Sequence, residues 1–199
     1  MKELVAGIWT WSVFSSEKNL DFNGFLVADP SGNALIDPPQ MEGEVRERML
    51  RLGAPRTILL TNKDHVRTSR ECRDLLKARI GIHELDAPLL NFKPDFVFRD
   101  GASLPGPLLA IHVPDSKSPG ETAFLLRRAG GVLILGDALI GKPAGELRLL
   151  PPEKYADAER ARRGLIRLLN HSFDAVLVGD GMSIPSGGRM ALQRYLDLA

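Results

Sequence analysis

The chain is poor in the residues that build covalent or imidazole-rich scaffolds. One cysteine, Cys72, excludes an internal disulfide framework. Histidine is scarce: His65, His83, His112 and His171 are the only four. Neither sign of charge is in excess, since 26 Lys and Arg stand against 25 Asp and Glu for a formal net charge of +1. No global field therefore argues for nucleic acid or an anionic membrane as a partner. No apolar run approaches the ~20 residues that span a bilayer. Met1-Lys2-Glu3-Leu4 leads into mixed sequence with no signal-peptide pattern. Repeats, low-complexity tracts and linkers are also missing. The expectation is a cytoplasmic protein with no nucleic-acid and no membrane partner; a homodimer stays open.

What is present is an ordinary globular composition, 44% apolar and 26% charged, over 199 residues. That length suits a single domain, residues 1–199, with a full core. Three stretches run from an apolar segment straight into a carboxylate motif: TILLTNKDHVR (57–67), GVLILGDALIG (131–141) and AVLVGDGMS (175–183). Continuous apolar runs bounded by polar turns read as strands buried on both faces. Ligand sites in α/β sheets gather where strand carboxyl ends emerge. Asp64, Asp137 and Asp180 each lie at or just past such an end. If these strands are neighbours, three carboxylates share a pocket, and like charges so placed require a cation or raised pKa values.

The pattern predicts strands at 5–12, 24–28 and 34–37, the last two paired through the turn Asp29-Pro30-Ser31-Gly32-Asn33. A helix is expected at 42–52 and a strand at 57–61. Cys72, Leu75, Leu76 and Ile80 then fall at helical spacing, which predicts a helix over 69–80. Further strands are expected at 96–98, 108–113, 122–127, 132–135 and 175–178. Pro151-Pro152 should open the longest helix, with Tyr155, Ala158, Ala161, Leu165 and Leu168 inward, and a closing helix is expected at 188–198. Each half runs strands first and helices after. The fold class expected is α+β, two sheets face to face with helices outside, a four-layer α/β/β/α sandwich.

Five segments in order carry a family resemblance. Asn23-Gly24-Phe25-Leu26-Val27 with Leu35-Ile36-Asp37 looks like an opening hairpin. LLTNKDHVR stands where a T-H-x-H-x-D-H motif would be, and HVPDSKSPGETAFLL (112–126) is similar to P-G-H-T-P-G-H-T. LILGDALIG matches a G-D motif, and LVGDGMS takes the place of a final G-H-G. Over nearly its whole length the chain thus resembles the metallo-β-lactamase-fold hydrolases. The resemblance implies that the Asp137 position bridges two metals in the family. Most of the family's other ligands are replaced. Aligned from Thr61 without a gap, Asn62 and Asp64 replace the first two histidines, and Val66 and Arg67 the following D-H pair. A two-residue deletion would instead put Asp64 and His65 on that pair. Ser116 replaces the next histidine ligand, Glu121 a supporting histidine, and Asp180 the last histidine. With four histidines in all, a five-histidine dinuclear zinc site cannot be built.

The candidate pocket is therefore Asn62, Asp64, His65, Arg67, Ser116, Lys117, Asp137 and Asp180. Its oxygens suit hard cations. Asp64, His65, Asp137 and Asp180 could hold at most one divalent metal ion, Mn²⁺, Mg²⁺ or Zn²⁺. The rival compensation is internal: Arg67 and Lys117 could fill the vacated volume, a guanidinium matching carboxylates bidentately. Beside these, Asp137 and Asp180 could simply cap turns, and Asn62 could bond the backbone at its strand end. His112 reads as a structural strand histidine, and His83 and His171 as loop residues. Cys72, Trp9 and Trp11 read as packing groups. The expected function is that of a relative lacking the usual dinuclear zinc site, non-catalytic or binding a small molecule. The alternative is a mononuclear metal-dependent hydrolase of a small thioester, lactone or phosphoester, the substrates the resemblance implies. A purely structural or dimerising module is the third reading.

Overall fold

Side-chain alternation assigns each strand's two faces to two different cores. In the computed structural model, which describes residues 1–197, Phe25 and Val27 enter one apolar cluster while Leu26 between them enters another. The first sheet contains β1 (Lys2–Val5), β2 (Ile8–Ser15), β3 (Leu20–Val27) and β4 (Ala34–Ile36), then, after helix α1 (Gly43–Arg51), β5 (Thr57–Leu59). Helix α2 (Ser69–Leu76) leads to β6 (Arg79–His83) and β7 (Phe96–Phe98). The second sheet holds β8 (Ser103–Leu104), β9 (Leu108–His112), β10 (Thr122–Leu126) and β11 (Val132–Leu135), followed by helix α3 (Ala158–Gly164), β12 (Ala175–Val178) and helix α4 (Gly188–Asp197). The seven strands of the first sheet lie in sequence order, and the second sheet runs β12-β11-β10-β9-β8. Pairing is parallel from β4 through β7 and between β11 and β12, and antiparallel elsewhere.

Three apolar layers follow from this. Phe25, Ile36 and Leu59 of the first sheet meet Phe124, Ile134 and Leu177 of the second between the sheets. Leu35, Ile58 and Ile80 pack outward with Met49 of α1 and Cys72 of α2. Leu133, Leu135, Val176 and Val178 pack outward with Ala191 and Leu192 of α4. The result is the expected α/β/β/α sandwich. Phe25 and Phe124 are fully buried, and burying each side chain contributes about 1.5–3 kcal/mol.

Several expected elements differ. The first strand is two, because the chain reverses at Gly7, whose φ of 77° suits glycine. The helix from Ser69 stops at Leu76, where Lys77 turns left-handed at φ 54°, so Ile80 lies in β6. No long helix follows Pro151. A single turn over Pro152–Lys154 gives way to extended Tyr155; α3 then starts afresh, with the Asp157 carboxylate accepting from Arg160 N at 3.0 Å. Ala161, Leu165 and Leu168 are buried as expected. The closing helix is described to Asp197; the expected extension to residue 198 lies outside the described residues. His83 is no loop residue: it ends β6, buried, and stacks on His112 at 4.8 Å. Among the described residues, no helix is long and apolar enough to cross a membrane.

Arg128, bonded to Asp29 Oδ2 at 2.7 Å, ties the sheets at one end, and backbone hydrogen bonds stitch them at the other. Thr122 N donates to Thr61 O at 2.8 Å, and Asn23 N to Gly179 O at 2.7 Å. Asn23 Nδ2 donates to Val178 O and Gly181 O, each at 2.8 Å. The ends of β4, β5, β11 and β12 meet at this seam.

Candidate functional site

The seam brings four strand ends against one tight turn. After β5, Asn62 caps the turn Lys63–His65, its side-chain oxygen accepting from Asp64 N at 2.9 Å and His65 N at 3.1 Å. The buried carboxylate of Asp37, just past β4, accepts from Thr61 N at 2.9 Å, Thr61 Oγ1 at 2.5 Å and His65 Nδ1 at 2.8 Å. The imidazole is thereby aimed across the seam. Its Nε2 lies 3.4 Å from Asp137 Oδ1 and 4.0 Å from Asp180 Oδ1. The glycine before each of these aspartates has a steric reason. A Cβ on Gly136 would collide with the Thr61 side chain, and one on Gly179 would sit 2.8 Å from His65 Cε1.

Two cations complete the cluster. Arg67, at φ 44°, donates through Nη1 to Asn23 O (2.6 Å) and Asp37 O (3.0 Å). Its Nη2 reaches Gly179 O (3.2 Å) and Asp180 Oδ1 (2.7 Å). Lys117 Nζ lies between Asp64 Oδ2 at 2.9 Å and Asp137 Oδ2 at 2.7 Å. Lys63 Nζ holds the other Asp64 oxygen at 2.7 Å. The loop bearing Lys117 is fixed by fully buried Asp86, which accepts from Ser118 Oγ (2.6 Å), Gly120 N (2.7 Å) and Lys63 N (2.8 Å). Glu121 is fully buried; its Oε1 accepts from Ala138 N at 3.1 Å, and its Oε2 has no hydrogen-bond partner among the described residues.

These contacts set the charge states. Burial and the Arg67 guanidinium disfavour a proton on His65, but Asp137 and Asp37 outweigh them and raise its pKa to about 10. Both ring nitrogens then donate. Burial works against ionised Asp137, yet His65 and Lys117 hold its carboxyl well below the usual range. Burial opposes the Lys117 charge as well, and Asp137 with Asp64 raises its pKa. Burial raises Asp180, with His65 and Arg67 offsetting part of the effect. Burial, then repulsion from Asp137, pushes Glu121 well above the usual carboxyl value.

Asp64, His65, Arg67, Lys117, Asp137 and Asp180 together line one cleft of about 580 Å³. Asn62 and Ser116 do not line it: Asn62 is buried beneath as the turn's cap, and Ser116 is half-buried in its loop. Val66 packs into the outer core of the first sheet. Sequence reasoning missed two residues that organise the site. Asp37 carried the same signal as Asp137, an aspartate ending an apolar strand, but was read only as part of a hairpin. Asp86 sits in a polar loop with no pattern around it.

Among the described residues, one group of side chains could hold a metal ion. One ligand atom each from His65, Asp137 and Asp180 lies within 4.8 Å of the others, a mixed nitrogen and oxygen set. A two-ion set does not fit. Arg67 already bonds the Asp180 oxygen that faces His65, and Lys117 occupies the space between Asp64 and Asp137. A single ion would need a His65 Nε2 free of its proton, while Asp180 would share its carboxylate between the ion and Arg67.

Comparison with known proteins places these observations. The family profile described as the metallo-beta-lactamase superfamily matches residues 1–198. Among solved structures, TTHA1623 in a di-iron-bound form is 25% identical with a TM-score of 0.69, covering 91% of this chain and 96% of that one. A metallo-beta-lactamase from Pontibacter korlensis is 16% identical with a TM-score of 0.77, covering 99% and 96%. The Cronobacter sakazakii protein with a HARLDQ motif is 17% identical with a TM-score of 0.71, covering 99% and 93%. No curated protein matches the chain.

Proposed function

The chain belongs to the metallo-beta-lactamase superfamily, and on that footing we propose that it is a non-catalytic relative whose cleft binds a small ligand. Its buried carboxylates are balanced by the chain's own cations. The observation that carries this reading is the Lys117 ammonium, bonded to both Asp64 and Asp137, with Arg67 on Asp180. A tethered cation at hydrogen-bond distance meets the compensation that clustered carboxylates require.

The His65, Asp137 and Asp180 group supports a second reading, a mononuclear metal-dependent hydrolase of a small thioester, lactone or phosphoester. An ion bound there supplies Lewis acidity toward a carbonyl or phosphoryl oxygen. In that case Asp37 fixes the His65 ring through Nδ1 so that Nε2 faces the ion, and Lys117 stays on the remaining Asp137 oxygen.

Elemental analysis decides between them. Protein purified without chelator, and again after incubation with Mn²⁺, Mg²⁺ and Zn²⁺, should carry no stoichiometric metal, and its unfolding midpoint should not respond to EDTA. One metal per chain, lost in Asp137→Ala, together with stabilisation by the free ion, would replace the first reading with the second.

A further inference from the structure

The inner cleft is balanced, but its mouth is not. His65, Arg67, Lys117 and Lys63 stand against Asp37, Asp64, Asp137 and Asp180, four cations for four carboxylates. Around them stand Lys18, Lys142 and Lys154, with no further carboxylate in the lining. The three lysines arrive from unrelated segments: the turn between β2 and β3, the loop after β11, and the turn before α3. Lys18 pairs with Glu17 outside the cleft, where both side chains are more than half exposed, so that pairing leaves its field largely available. Lys142 Nζ donates only to a neutral acceptor, Asn19 O at 3.0 Å. Lys154 has no ion pair among the described residues. With Glu17 counted beside Lys18, a local excess of two positive charges in a chain of net charge +1 is still a concentration, not a background. The same cleft has an apolar wall of half-buried Leu20, Ile140 and Leu150.

We propose that the cleft takes a small amphipathic anion, its apolar body against Leu20, Ile140 and Leu150 and its carboxylate or phosphate group on Lys18, Lys142 and Lys154. A volume of about 580 Å³ suits a ligand of that size. Lysine ammonium groups act as point charges on flexible stems, so they accept either anion without the fork geometry arginine imposes. A cationic ligand is repelled, and a neutral one leaves the lysines unused. The inference rests on the metal-free reading, since a bound metal would draw the anion inward to itself.

The test is calorimetric titration of the full chain with four probes of equal chain length: octanoate, octyl phosphate, octanol and octylamine, each with and without EDTA. Both anions should bind about tenfold or more tighter than octanol, more weakly as salt rises, and octylamine should not bind. Stronger binding of octyl phosphate assigns a phosphate ligand, and stronger binding of octanoate a carboxylate. The triple variant Lys18→Gln, Lys142→Gln, Lys154→Gln should lose the preference for anions while keeping its unfolding midpoint, because all three side chains are exposed. Equal binding of octanol and the anions, no anion binding, or a preference that survives in the triple variant would overturn the proposal. Anion binding lost with EDTA and restored by Zn²⁺ or Mn²⁺ would instead overturn the metal-free reading beneath it.

Discussion

Arg67 is the residue on which the site's geometry converges. It is held in left-handed backbone and donates to acceptors from three segments, at Asn23, Asp37, Gly179 and Asp180. Arg67→Ala would leave Asp180 buried without its partner and should cost about 3 kcal/mol or more, read as a lower urea midpoint. Arg67→Lys should recover little of this, because one ammonium cannot reach a forked set of acceptors. His65 sets the pH response. Its pKa is about 10 in the folded protein against an ordinary 6.5. The stability it contributes is therefore complete below pH 6.5 and disappears as pH rises through about 10. Urea unfolding across that window should show an alkaline decline, and His65→Gln should flatten it; a decline of equal slope in the variant would remove His65 as its source.

At the scale of elements, the strands that carry the carboxylates were legible. Val132 to Leu135 and Ala175 to Val178 are continuous apolar runs because both of their faces are buried. Helix extents were less so. Ile80 continues the spacing of Cys72, Leu75 and Leu76, but Lys77 leaves the helix and the apolar residue serves β6 instead. The long helix expected after Pro151 is broken at Tyr155, whose hydroxyl accepts from Leu150 N at 3.0 Å, a contact no periodicity encodes. Within the site, the aspartates at strand ends could be found from the sequence, whereas the brace made by Asp86 depends on loops far apart in the chain. That brace gives a prediction. Asp86→Ala strips acceptors from Ser118, Gly120 and Lys63 at once and should cost about 3 kcal/mol. It should also loosen the Lys117 loop, measurable as faster amide exchange at residues 116–120. Unchanged exchange there would mean the loop is held by other contacts.

The whole molecule is two sheets sharing one inner core and tied at both ends, by the backbone seam and by Arg128. Phe124 belongs to that inner core with Phe25 and Phe98. Its truncation in Phe124→Ala should cost about 3–5 kcal/mol. Because the layer is common to both sheets, unfolding followed by the fluorescence of Trp9 and Trp11, which report on the first sheet, should coincide with unfolding followed by circular dichroism. Two separated transitions would show that the sheets fold independently. The order of the apolar runs and the family motifs made this architecture readable in advance. The replacement of ligands left two fillings open for the space between the carboxylates, a metal ion or the chain's own Arg67 and Lys117.

The Lys117 ammonium between Asp64 and Asp137 has a bearing on supply. A charge that belongs to the polypeptide is delivered by translation, once per chain, and neither dialysis nor starvation for trace elements can withdraw it. On the metal-free reading, the positive end of this pocket is inherited with the gene instead of scavenged from the surroundings.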